Sequence, residues 1–210
     1  MESSFLQSDV EEEYEYLQQT LPLLPKNASF SQDFLVKTIG DSKESVKSRM
    51  QAMIQVLKMI NDGSDPLPYF SAVATLFCSS NKELRTLGYQ YMEKIIDKNE
   101  DVCLLITGTL LKDTHSTDPR DRMRALKHFS SFKNEHLTEY AIPPILKALS
   151  DAEPSVISVA VNCIRRLYYY HPEVLVETTL PDELFKLVFH SNSNVVANAL
   201  VALMELDDGE

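Results

Sequence analysis

The chain has 210 residues, enough to bury a sizeable core as one long domain or two short ones. Its 44% hydrophobic and 24% charged residues are the balance of a soluble globular protein, and a formal net charge of −11 disfavours nucleic acid and anionic lipid as partners unless basic residues gather on one face. Five glycines are too few for a turn-rich β architecture or phosphate-cradling loops, and ten prolines suit helices that open on proline.

In chain order, residues 1–30 are expected to be an acidic, partly mobile lead-in, and residues 31–210 read as one helical-repeat domain. The start MESSFLQSDVEEE has neither the basic beginning nor the apolar run of a secretory signal. SDVEEEYEYLQQTL offers a helix capped by Ser8 or Asp9, with glutamates in the first turn where the helix dipole favours them, and Pro22 and Pro25 end it. From Ser31 onward helices are predicted near 31–39, 43–61, 67–79, 82–98, 100–112, 119–132, 138–149, 154–170, 181–190 and 194–206. Asp65-Pro66, Asp118-Pro119 and Glu153-Pro154 place proline where a helix opens, a position whose amide has no intrahelical partner. In PSVISVAVNCIRRLYYY the apolar residues Val156, Val159, Ala160, Cys163, Leu167 and Tyr170 recur with helical period. The longest weakly polar run, Val102–Leu111, is about half of the ~20 residues a membrane span requires. Cys78, Cys103 and Cys163 are odd in number, far apart and set among apolar neighbours, as thiols of a reducing compartment are.

A polar turn, an aliphatic anchor and a helix recur with anchors at Val46, Leu84, Met123, Val156 and Val195, at intervals of 38, 39, 33 and 39 residues. Repeats of this length built from helix pairs are the signature of an all-α, right-handed α-solenoid of armadillo or HEAT type. The last predicted helix, in SNSNVVANALVALMEL, is apolar nearly all round. That suits an inner helix covered by its own partner and by flanking repeats, whereas a terminal repeat needs a polar outer face. The expectation is that the polypeptide continues past Glu210 or that another subunit covers this end, and that Val196→Asp unfolds the final repeat.

No catalytic constellation is present: there is no GxGxxG, GxxxxGK[ST], HExxH or paired CxxC, and the five histidines have no metal-ligand spacing. A non-enzymatic protein without cofactor or metal is expected. Arg122, Arg124, Lys127 and His128 form the densest basic patch. They read either as a phosphate or acidic-peptide contact, or as a tie in which Arg124 bonds Asp118 or Asp121 and joins one repeat to the next. In the second reading Lys47 and Arg85 are the counterparts of Arg124, and Ile157 and Val196 interrupt the ladder. Tyr168, Tyr169 and Tyr170 read as a peptide shelf or as a helix end with one ring in the core and the other hydroxyls wet.

SNKELRTLGYQYMEKI, HLTEYAIPPILKALSDAEPSVISVAVNCIRRLY and SNSNVVANALVALMEL resemble the amino-terminal trunk of β-adaptins, the β-type large subunits of adaptor-protein coat complexes. The VVANA phrase at Val195–Ala199 and ELxxLxYxY at Glu83–Tyr91 are the most specific parts, and the likeness runs from about Ser42 to Leu206. The resemblance implies a vesicle-coat subunit that pairs with a second large adaptin, cradles medium and small subunits, sorts cargo, and acts in the cytoplasm as a peripheral protein of Golgi or endosomal membranes. It implies recruitment by an Arf-family GTPase through Leu104 and Thr107, taken as outward positions of DVCLLITGTLL, with Thr107 standing where other members carry an aliphatic residue. It implies a lipid-phosphate contact at Lys43, Lys47 and Arg49, diluted by Asp41 and Glu44, and an amino-terminal plug at Phe5 and Leu6. Clathrin would bind through regions not in this chain. The rival readings are an acidic helical-repeat receptor for basic peptides, of the nuclear-transport kind, and a scaffold for a kinase or phosphatase.

Overall fold

The computed structural model describes residues 30–95, 100–131, 135–172 and 179–207, so the predicted acidic lead-in and its helix start lie outside the described residues. Among the described residues every regular element is a helix: α1 (Gln32–Gly40), α2 (Val46–Asn61), α3 (Phe70–Ala74), α4 (Lys82–Glu93), α5 (Glu100–Thr114), α6 (Pro119–Ser131), α7 (Glu135–Ala148), α8 (Pro154–Tyr170), α9 (Leu180–Leu187) and α10 (Ser193–Asp207). Most boundaries fall within a few residues of the expected ones. The clearest departure is the helix expected over 67–79, which is a 3₁₀ turn at Leu67–Tyr69, the short α3, and a second 3₁₀ turn at Thr75–Cys78. Pro66 and Pro68 crowd its start, and the Thr75 hydroxyl donates to the Ala72 carbonyl at 2.7 Å, which tightens the chain away from α-helical pitch. Two glycines stand where a side chain would be strained or crowded. Gly63, at φ 97°, closes α2 in a conformation other residues resist, and a Cβ on Gly88 would stand 3.3 Å from the Phe77 ring.

The chain forms two compact units, divided between Val102 and Cys103. In the first, α1 packs on α2, α2 on α4, and α3 on both α1 and α4. Its core holds Leu35, Ile39, Met53, Val56, Leu76, Leu84, Leu87 and Tyr91, all fully buried. The Tyr91 hydroxyl donates to the Pro66 carbonyl at 2.5 Å, and burial pushes its pKa well up, so the phenol stays protonated.

In the second unit α8 lies between α6 and α10, α7 covers α6 and α8, and α9 covers α10. A helix flanked on two sides must bury two stripes, and α8 buries Val156, Ile157, Ala160, Val161, Cys163, Ile164 and Leu167. The single stripe expected from the sequence included Val159 and Tyr170, which are half-buried, and omitted Ile157, Val161 and Ile164. Each large aliphatic side chain so covered contributes about 1.5 to 3 kcal/mol before entropy is subtracted.

The repeat register is set by the helix caps. The residues that open the second helix of each pair are Ser45, Asn81, Asp118, Glu153 and Asn192, at intervals of 36, 37, 35 and 39. This corrects two of the predicted anchors by two positions, and Val46 is indeed 44% exposed. Four residues beyond the first three caps stand Arg49, Arg85 and Arg122, each reaching back to a carbonyl ahead of its own helix, in the last turn of α1 for Arg49 and in the preceding turn for the other two. Arg49 Nε donates to the Ile39 carbonyl at 2.9 Å, Arg85 to the Ser79 carbonyl at 3.5 Å, and Arg122 to the Ser116 carbonyl at 2.9 Å. The series stops at Ile157 and Val196, as anticipated, but its members are Arg49 and Arg122 rather than Lys47 and Arg124. Arg122 also makes the tie to the next repeat, with Nε and Nη2 donating to the two carboxylate oxygens of Asp151 at 2.8 and 2.7 Å. Arg124 pairs with Asp121 of its own helix at 3.4 Å.

Two stability tests follow from this packing. Burial raises the pKa of the Asp151 carboxyl, but the hydrogen bonds from Arg122 and from the amides of Glu153 and Ala152 outweigh it and hold it below the ordinary value. A carboxyl depressed on folding adds stability that is complete above its unfolded pKa of about 3.9 and fades as pH falls below it. Arg122→Met is expected to cost about 1 to 2 kcal/mol near neutral pH, with a deficit that shrinks in acid, whereas Arg124→Met changes little; urea titrations at several pH values decide this. Val195, rather than the half-buried Val196, faces the seam in α10. Val195→Asp should cost roughly 3 to 5 kcal/mol in thermal melts and Val196→Asp clearly less.

Candidate functional site

Among the described residues no group of three or more His, Cys, Asp and Glu side chains is arranged to hold a metal ion, and no helix is long and apolar enough to cross a membrane. The predicted site residues differ in how far their side chains reach the surface.

Lys43 and Lys47 are exposed around the start of α2. There Ser45 caps the helix by accepting the Ser48 amide at 3.0 Å, and the Lys43 amide donates to Asp41 Oδ1 at 2.9 Å. Arg49 does not join them. It is only 7% exposed, held by the Ile39 carbonyl and by Thr75 Oγ1 at 3.5 Å, because the fourth helical position points back over the preceding turn. The predicted cluster of three cations is thus two lysines and a structural arginine.

Thr107 is also turned inward, at 7% exposed. The outward side of α5 is marked instead by Gly108, where a Cβ would meet nothing within 4 Å, and by Lys112 one turn on. Leu104 shares that helical register by spacing, but its side chain lies outside the described residues, as do Phe5 and Leu6. The expectation that Thr107 faces outward is corrected by its burial, and the exposed positions that follow on α5 are Gly108 and Lys112.

In the basic patch His128 is fully buried, Arg122 is committed to Asp151, and Arg120 is left at the surface beside half-buried Arg124 and Lys127. The tyrosine run divides in a way the sequence did not specify. The Tyr168 hydroxyl donates to the Leu206 carbonyl at 3.3 Å and fastens α10 to α8, while Tyr169, packed edge-on against Tyr170 with centroids 5.1 Å apart, is 65% exposed. Arg165 makes a second fastening, with Nε donating to Glu205 Oε2 at 2.6 Å and Nη2 to the other carboxylate oxygen. Sequence reading passed over this pair because Arg165 and Glu205 are forty residues apart and only the α8–α10 contact brings them together.

The least anticipated surface is apolar. Phe185 near the end of α9, Phe189 just past it, and Leu200, Val201 and Met204 on α10 are, with Tyr140 and Tyr169, the exposed large hydrophobic residues of the second unit. The near-continuous apolarity of the last helix was the legible signal; which of its faces would be left open was not.

These arrangements can be set beside known proteins. Residues 28–210 match the family model described as the adaptin N terminal region. The chain is 29% identical over 167 residues to AP-1 complex subunit beta-1 of Mus musculus, covering 80% of this chain and 17% of that protein. It is 29% identical over 180 residues to AP-2 complex subunit beta of Schizosaccharomyces pombe, covering 85% and 27%, and 24% identical over 191 residues to AP-1 complex subunit beta-1 of Saccharomyces cerevisiae, covering 91% and 26%. The chain therefore spans between about a sixth and a quarter of the length of the curated relatives it matches. A chain of a homology model of the full-length AP-3 complex in an intermediate open conformation superposes with a TM-score of 0.66 at 18% identity, over 79% of this chain and 29% of that one. A designed armadillo repeat protein in complex with the peptide (KR)4 superposes with a TM-score of 0.56 at 18% identity, over 94% and 90%. These neighbours show the fold to be an α-solenoid of armadillo type. With the family model covering the helical part of the sequence from end to end, the chain belongs to the adaptin family, its helices built like the amino-terminal region of β-type adaptor subunits.

Proposed function

We propose that the chain serves as the amino-terminal trunk of a non-enzymatic coat-adaptor subunit, a rigid helical scaffold that brings partner subunits, cargo and a membrane GTPase together. The observation that carries this reading is the match of residues 28–210 to the adaptin N terminal region, together with the three relatives above, each a β subunit of an adaptor complex. The partners it takes are a second large adaptin and medium and small adaptor subunits, on Golgi or endosomal membranes, with clathrin engaged only through regions outside this chain. The GTPase contact is assigned to α5 at Leu104, with the buried Thr107 as support rather than as a contact. Lys43 and Lys47 are the cations left to meet a lipid phosphate, and Phe5 and Leu6 remain the proposed plug.

The rival receptor for basic peptides suits the second unit less well. Its helices α6 and α8 carry Arg120 and Arg166 at or near the surface, cations that would repel such a ligand.

Affinity purification of the tagged chain from its native cells should recover a second adaptin-like chain with medium and small subunits; importins or phosphatase subunits in their place would overturn the reading. The GTPase assignment is tested separately by binding of an Arf-type GTPase locked in its GTP state. Leu104→Glu is expected to weaken that binding about 10-fold or more, equivalent to ~1.4 kcal/mol, and equal binding of variant and parent would remove the contact from α5.

A further inference from the structure

Helices α6 and α8 gather positive charge in an acidic chain. Arg120, Arg122, Arg124 and Lys127 on α6, with Arg165 and Arg166 on α8, stand against a single acid, Asp121. That is a balance of +5, which leaves −16 for the rest of the chain against −11 overall. The helical period then sorts these residues by face. On α6 the buried set is Ala125, Leu126, His128, Phe129 and Ser130, and the stripe opposite it, at i, i+4, i+7 and i+11, is Arg120, Arg124, Lys127 and Ser131. On α8 the residues turned away from the core are Asn162, Arg165, Arg166 and Tyr169. The Cys163 thiol, which donates to the Leu126 carbonyl at 3.3 Å, and the pair of Arg122 with Asp151 set the two helices side by side and parallel. Helix α7 packs against both, so the side they leave to solvent is a common one. On it Arg124 pairs with Asp121 and Arg165 holds Glu205, whereas Arg120 and Arg166, one on each helix, make no ion pair among the described residues.

The geometry points to an acidic peptide segment of a partner protein as the ligand of this face, held extended across α6 and α8. Alternate residues of an extended chain share one side and stand about 7 Å apart, so carboxylates at i and i+2 can meet cations of two helices whose axes lie ~8–10 Å apart. Asn162, whose Oδ1 accepts from Arg165 Nη1 at 3.3 Å, supplies an amide nitrogen for a peptide carbonyl, and Tyr169, 65% exposed, supplies an apolar ring for a neighbouring side chain. A peptide uses both of these groups, whereas a lipid phosphate is served by the cations alone. Rim charges of this kind set the rate and the specificity of encounter, and salt screens them. The face lies wholly within the second unit, and the inference does not depend on the adaptor reading.

The probe is a fluorescent peptide of six Glu-Ser repeats, (ES)6. Its anisotropy with the 210-residue chain should show saturable binding that weakens about 10-fold or more as salt rises from ~0.05 to ~0.3 M. Lys127→Glu combined with Arg166→Glu, one change on each helix, is expected to weaken binding about 10-fold or more. Lys43→Glu combined with Lys47→Glu makes the same change of net charge in the first unit and should cost less than about 3-fold. Asn162→Ala and Tyr169→Ala alter no charge, and each should weaken binding roughly 3-fold while leaving its salt dependence as it was. In the unaltered chain (ES)6 should shield Lys127 from acetylation and leave Lys43 reactive, a readout that needs no variant. The proposal would be overturned by no binding at low salt, by equal binding of the Lys127 and Arg166 variant, or by an equal loss from the Lys43 and Lys47 variant. It would equally be overturned if phosphatidylserine vesicles, in place of (ES)6, captured the chain through Lys127 and Arg166.

Discussion

Contact between the second helices of successive pairs is the constraint on which the second unit rests. Helix α8 is covered by α6 on one flank and α10 on the other, and its seven buried residues fill both seams. Without either neighbour, half of that surface meets water, so the repeat is not stable alone and its energy is that of a stack. Arg122, which crosses from α6 to Asp151 ahead of α8, and the pair of Arg165 with Glu205, which crosses from α8 to α10, fix the register of a seam that apolar packing makes favourable but does not by itself align.

Much of this was legible in the sequence, because caps and helical periodicity are local. The prolines at 119 and 154 and the helical periodicity placed boundaries correctly, and the repeat length identified the architecture class. Long-range arrangement was not legible. The anchors at Val46 and Met123 were two positions off because an aliphatic residue in the first turn looks like an anchor whether or not a neighbour covers it, whereas the cap to which the arginine register is tied could be located only once the turn geometry was known. The second stripe of α8 was missed for the same reason: one flanking helix calls for one stripe, and only the fold shows that there are two.

The candidate surfaces divide along the same line. Residue type correctly marked Lys43 and Lys47 as surface cations, but charge alone could not tell them from Arg49, whose place in the helix sends it inward. Thr107 was read as outward from likeness to relatives, yet it is buried, while Gly108 beside it stands open to solvent. Where a chain shares under a third of its residues with its relatives, the fold transfers more safely than the facing of any one side chain, because a helix can rotate about its axis without losing its place in the stack.

The central claim is that stability follows flanking cover, and native-state hydrogen exchange tests it most directly. Amides in the middle of α8, covered on both sides, should exchange only through opening of the whole second unit, with the slowest rates in that unit. Those of α10, covered by α8 and α9 with its other face open, should exchange markedly faster. If α10 were protected as strongly as α8 in a chain shown to be monomeric, or if α8 opened independently of α6 and α10, the account of the seam would be contradicted.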